Sequence, residues 1–140
     1  MKKENICNLL IFLGIVLIDR LVKIMLNDGC LGIFCIRTVI NGGAAFGILQ
    51  GMLPLLIVVS SAVLVLIIHF YDQVGSKIKT AFAFIAAGTL GNLLDRIFFG
   101  GVIDKLAIWN SSSFNVADLS NLAGGAIIIY SLFYDGKSKR

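Results

Sequence analysis

A chain of 140 residues that is 58% hydrophobic and 14% charged, against roughly 25% charged in an ordinary soluble domain, is not composed for water. A spanning helix needs about 20 mostly apolar residues, so four helices with short connections fill 1–140 as one membrane-embedded domain and leave no length for a separate soluble one. The net charge of +4 does not point to nucleic acid, because the basic residues form no stripe and stand mostly at the ends of apolar runs.

The first apolar run, Ile6 to Leu26, follows two lysines as a secretory signal would, but no Ala-x-Ala-like cleavage site closes it, so it reads as a retained helix. It ends in Asp19-Arg20-Leu21-Val22-Lys23. Asp19 and Lys23 stand four apart with the acid first, the favourable order for an ion pair on one helical face. Mutual neutralisation and contact with a substrate are both open to that pair. An ionisable side chain inside the membrane costs a few kcal/mol or more, so each such residue needs a partner or a function.

The loop that follows holds Cys30 and Cys35; with Cys7 the thiols are odd in number and form no CxxC metal pattern, so incidental thiols are the leading reading and a Cys30–Cys35 bridge the alternative. Next come Asn41-Gly42-Gly43-Ala44-Ala45-Phe46-Gly47, small residues whose backbone can pass close to a ligand or another chain, or form an ordinary turn. The second helix is expected from Met52 to Tyr71, and His69 near its far end has no place in catalysis. The third, Ile78 to Phe98, closes on Gly88-Thr89-Leu90-Gly91-Asn92-Leu93-Leu94-Asp95-Arg96, where Asn92 and Arg96 share a face and Asp95 reads as polar glue between helices.

Gly101-Val102-Ile103-Asp104 then leads through a loop containing Trp109, an interfacial aromatic or a lid contact, to a fourth helix from Phe114 to Phe133. Asn115 and Asp118 open that helix on one side. Two aspartates therefore flank one short loop. Held close, two carboxylates cannot both ionise comfortably, so one serves as base and the other as acid, with no metal or cofactor. The competing readings are a helix-dipole role for Asp118 and a solvated loop charge for Asp104.

Lys2, Lys3, Lys77, Lys79, Lys137, Lys139 and Arg140 fall in the termini and the second loop, which the positive-inside rule assigns to the cytoplasm. Asp19, Asp95, Asp104 and Asp118 then gather at the outward face.

Taken in order, Asp19-Arg20-Leu21-Val22-Lys23, Asn41-Gly42-Gly43-Ala44-Ala45-Phe46, Gly91-Asn92-Leu93-Leu94-Asp95-Arg96, Val102-Ile103-Asp104 and Phe114-Asn115-Val116-Ala117-Asp118 resemble the blocks of bacterial lipoprotein signal peptidase, signal peptidase II. The resemblance implies an all-α membrane protein of four helices with a small extracytoplasmic β-rich cradle. It implies an aspartic endopeptidase of the inner membrane, a monomer, that cleaves lipid-modified prolipoproteins just before the lipidated cysteine. Its catalytic pair falls on Asp104 and Asp118; its supporting residues fall on Asp19, Lys23, Asn41, Asn92, Arg96 and Asn115. Where the family usually carries an aromatic residue, this chain has Lys105, a cation expected to depress the pKa of Asp104. The outward cradle and a surface helix are expected to be trimmed. A small ion- or proton-coupled transporter, with the intramembrane Asp and Lys residues as its relay, and a structural assembly subunit are the competing classes.

Overall fold

Uninterrupted apolar sequence gives the chain four helices long and apolar enough to cross a membrane. They are α1 (Lys3–Met25), α2 (Leu53–Phe70), α3 (Ser76–Phe99) and α4 (Val116–Asp135), with strands β1 (Gly29–Leu31), β2 (Phe34–Asn41) and β3 (Val102–Ile108) between them. The computed structural model describes residues 2–44, 49–109 and 113–135. Ala45, Phe46 and Gly47 of the small-residue loop, and the basic anchor Lys137, Lys139 and Arg140, lie outside the described residues.

Local chemistry sets the helix ends. Pro54 occupies the first turn of α2, where its missing N–H removes no helical bond. Gly100, in the left-handed conformation at φ 73°, closes α3 through its N–H to the Arg96 carbonyl. The expected span over Ile78–Phe98 is thus extended at both ends, whereas the fourth helix starts at Val116, two residues after the expected Phe114. Phe114 pairs with Leu106 instead, exchanging backbone bonds of 2.9 and 2.7 Å.

Helix α3 is the axis of the molecule, touching α1, α2, α4 and β3. Small buried residues on it, Ala81, Ala83, Ala87, Gly88 and Gly91, let neighbouring backbones approach, as membrane helix contacts require. A methyl at Gly88 would run into the Ala117 carbonyl and the Asn121 side chain of α4. By contrast α2 packs against α3 and against no other spanning helix to a comparable extent. A cleft therefore opens on either side of it, one toward α4 and one toward α1.

The three strands form an antiparallel sheet in the order β1-β2-β3. It stands at the end of the bundle shared by the C-termini of α1 and α3 and the N-termini of α2 and α4. The cradle is reduced to one hairpin and one strand, and among the described residues no surface helix stands between β2 and α2. Gly101 to Asp104, expected as loop, lie largely on β3. Cys30 and Cys35 are cross-strand neighbours joined in a disulfide, which corrects the expectation of incidental thiols; Cys7 is free.

Candidate active site

Strand β3 and the first turn of α4 supply the two carboxylates that the sequence singled out. Asp104 is 2% exposed, which overturns its reading as a solvated loop charge, and Asp118 is half-buried. Asn115, fully buried just ahead of α4, joins them. Its side-chain amide donates to Asp104 Oδ1 at 2.7 Å, and its backbone N–H donates to Asp118 Oδ2 at 3.2 Å. The Asp118 N–H returns a bond of 2.7 Å to Asn115 Oδ1, so one residue both caps the helix and spaces the two acids.

The remaining oxygens are also occupied. Asn41 at the end of β2 donates to Asp104 Oδ2 at 3.3 Å, and Asn92 of α3 donates to Asp118 Oδ1 at 2.9 Å. Asn92 in turn accepts from Asn115 at 3.2 Å. Both carboxylates line a cleft of about 600 Å³ between α2 and α4, with Thr89, Asn92 and Arg96 of α3 as its floor and Ser60 of α2 on its far wall. Arg96 reaches Ser60 at 3.4 Å and the Gly43 carbonyl at 3.5 Å, leaving much of its donor capacity for something in the cleft.

Burial, and then the charge of Asp118, push the Asp104 carboxyl up from its ordinary 3.8 to about 6, against the opposing bonds from Asn115 and Asn41 and the pull of Lys23. Lys105 is engaged elsewhere. Successive strand residues point to opposite faces, so Lys105 turns away to donate to the Leu26 carbonyl at 2.8 Å and the Thr38 hydroxyl at 2.6 Å. The expected depression of the Asp104 pKa by this neighbour is thus corrected. Asp28, 3.6 Å from the same ammonium, is held below the usual carboxylate range chiefly by the Thr38 hydroxyl.

Behind the cleft lies a group of four charges, of which Asp19, Lys23 and Asp95 are buried and Arg20 is partly exposed. Asp19 pairs with Lys23 at 2.8 Å, as the four-residue spacing requires, and with Arg20 at 2.7 Å. Asp95 pairs with the same two cations at 2.7 and 2.6 Å. Asp95 is polar glue as expected. Arg20 was not singled out by sequence, because its neighbour in sequence lies 100° away around a helix; the only available signal was a cation in an apolar run with two acids to balance.

Comparison with known proteins gives the chain a family. A sequence model described as "Signal peptidase (SPase) II" matches residues 11–134. The chain belongs to the signal peptidase II family. A lipoprotein signal peptidase of Halothermothrix orenii is 36% identical, with 91% of this chain and 96% of that protein aligned. One from Clostridium novyi is 32% identical, over 92% and 98%. Among solved structures, a bacterial membrane enzyme determined in meso at 2.3 Å superposes with a TM-score of 0.87 at 26% identity, covering 96% of this chain and 92% of that one. As a signal peptidase II, the protein is a peptidase of lipoprotein signal peptides in the bacterial inner membrane, and the ion-relay and assembly-subunit readings lose their ground. The resemblance carried by five sequence blocks is thereby established, and all eight residues expected to form or support the site lie at one end of the bundle.

Proposed function

We propose that this signal peptidase II is a single-domain aspartic endopeptidase whose Asp104 and Asp118 act as a pair on lipid-modified prolipoproteins, cutting just before the lipidated cysteine. The observation that carries the reading is the two hydrogen bonds that Asn115 donates, one to each acid, at the wall of a cleft left by the isolation of α2. A signal peptide enters sideways between α2 and α4, its acyl chains remaining among lipids, and its scissile carbonyl reaches the polar end. No partner subunit is needed.

Burial favours Asp104 as the holder of the shared proton. Half-buried Asp118, facing the cleft, takes a proton from water as the hydroxyl adds to the scissile carbonyl carbon. Asp104 donates to the carbonyl oxygen as negative charge develops there. When the C–N bond breaks, the proton held by Asp118 passes to the leaving amine and Asp104 recovers its own. Arg96, at the floor of the cleft, holds a substrate backbone carbonyl.

Incubating the purified protein with a diacylglyceryl-modified precursor and with its unlipidated form tests this reading. Cleavage of the lipidated precursor alone, with mass spectrometry placing cysteine at the new N-terminus, is the expected result. Near wild-type cleavage by folded Asp104→Asn or Asp118→Asn would remove the pair from the mechanism, since loss of either should cost at least about 1,000-fold in kcat.

A further inference from the structure

The four charges behind the cleft do more than neutralise one another. Asp19 Oδ1 accepts the backbone N–H of Ala117 at 3.0 Å, and Asp95 Oδ2 accepts that of Ile103 at 3.0 Å. Ala117 and Ile103 are the residues immediately before Asp118 and Asp104. Each acid of the buried group thus grips the backbone one residue ahead of one acid of the proposed pair.

Alone, Asp19 and Asp95 would repel each other, but Arg20 and Lys23 each reach both. The guanidinium has the stricter geometry: Nη1 goes to Asp95, while Nη2 is shared between Asp19 and the Gly91 carbonyl. A fork of fixed shape sets a fixed distance between what it holds. Gly91 permits this approach, since a methyl there would lie 2.9 Å from Asp19 Oδ2. The connection runs without a gap from Ala117 through Asp19, the two cations and Asp95 to Ile103.

We infer that Asp19, Arg20, Lys23 and Asp95 are positioning residues, a charge-balanced caliper that sets the separation of Asp104 and Asp118. The inference rests on the reading of those two as the catalytic pair. Stability alone would be served by any arrangement that balanced the four charges; here both carboxylates spend an oxygen on the segments that carry the pair. Asp19 and Lys23 thereby acquire a defined part, and Arg20 and Asp95 join them.

The test is the pH–rate profile of the purified enzyme on a diacylglyceryl-modified precursor. Besides each other, the charges facing Asp104 and Asp118 are Lys23 from α1 and Arg96 from α3; β2 offers neutral Asn41, α2 only neutral Ser60, and α4 no further charge to the cleft. Arg20→Gln also leaves the group one positive charge short, so a change there reaches the pair through both geometry and field, and the charge-conserving Asp95→Glu separates the two. In Arg20→Gln, kcat is expected to fall about 100-fold, the scale of a misplacement near 1 Å, with KM within roughly threefold. The two limbs of the profile should also draw together as the acids separate, because their spacing belongs to the coupling between them. Asp95→Glu keeps the group neutral but lengthens one arm, and should shift the same limbs; it decides the matter if Arg20→Gln does not fold. Wild-type limbs in either folded variant, even with a lowered Tm or rate, would overturn the inference in favour of a purely structural cluster. Retained turnover in Asp104→Asn or Asp118→Asn would instead overturn the reading of the pair, so the two failures are distinguishable.

Discussion

Burial strips an ionised carboxylate of its hydration, and Asp104 bears that cost with only two amide donors in return. Because its folded-state pKa is raised to about 6, its protonated form stabilises the fold fully below pH 4, and that contribution is lost as pH rises through 6. Asp104→Asn should therefore raise stability at pH 8 by about 1 to 3 kcal/mol and leave it unchanged at pH 4, read from denaturation in detergent at the two values. If Asp104 holds the working proton, kcat/KM of the free enzyme should also bend downward on the alkaline side from near pH 6. At this scale the sequence was legible wherever spacing within one element decided the contact: Asp19 with Lys23, and Asn115 with Asp118. It was not legible where direction depended on an element not foreseen. Lys105 beside Asp104 looks like a neighbour until β3 is recognised, and the alternation of a strand then sends the two apart.

Helix α4 is held against α3 at a separation that two glycines permit. A side chain at Gly88 would meet the Ala117 carbonyl and Asn121, and one at Gly124 would meet Ile85 and the Ala81 carbonyl. Gly88→Val should consequently lower stability by about 1 to 3 kcal/mol and cost activity as well, since Ala117 adjoins Asp118; thermal unfolding and turnover together check it. The hairpin of β1 and β2 gives a different expectation. Its disulfide spans a sequence separation of only 5, so the chain-entropy contribution is near the low end, about 2 kcal/mol. Cys30→Ser with Cys35→Ser should lower Tm, with turnover remaining within about fivefold of wild type. Helices were legible because apolar runs of this length have one solution in lipid. Strands were legible only through the resemblance, because β1 and β2 expose most of their side chains and β3 carries charge at two consecutive positions, so no apolar alternation marks them.

Across the whole molecule, polarity is distributed lengthwise. The proposed site fills the end that carries the sheet, while Lys77, Lys79 and Asp72 stand at the other. By the positive-inside rule the termini and the second loop are expected in the cytoplasm. A fluorescent protein fused at the C-terminus should therefore light up and an exported phosphatase at the same position should stay inactive; the reverse pattern would invert the topology. The order of spans, their number and the clustering of four aspartates were readable because hydropathy and flanking charge act over tens of residues. The isolation of α2 was not, since packing partners among equally apolar helices are chosen by small residues rather than by hydrophobicity.

The bond from Asp19 to the Ala117 N–H ties the first helix to the last. During synthesis, then, the C-terminal half of α1 enters the bilayer with two cations and one acid, and charge balance for that group arrives only with Asp95 on the third helix. The grip on Ala117 closes later still, when the final span emerges from the ribosome. Until that span is in place Asp118 itself is missing from the site, so the proposed pair cannot form on a partly inserted chain.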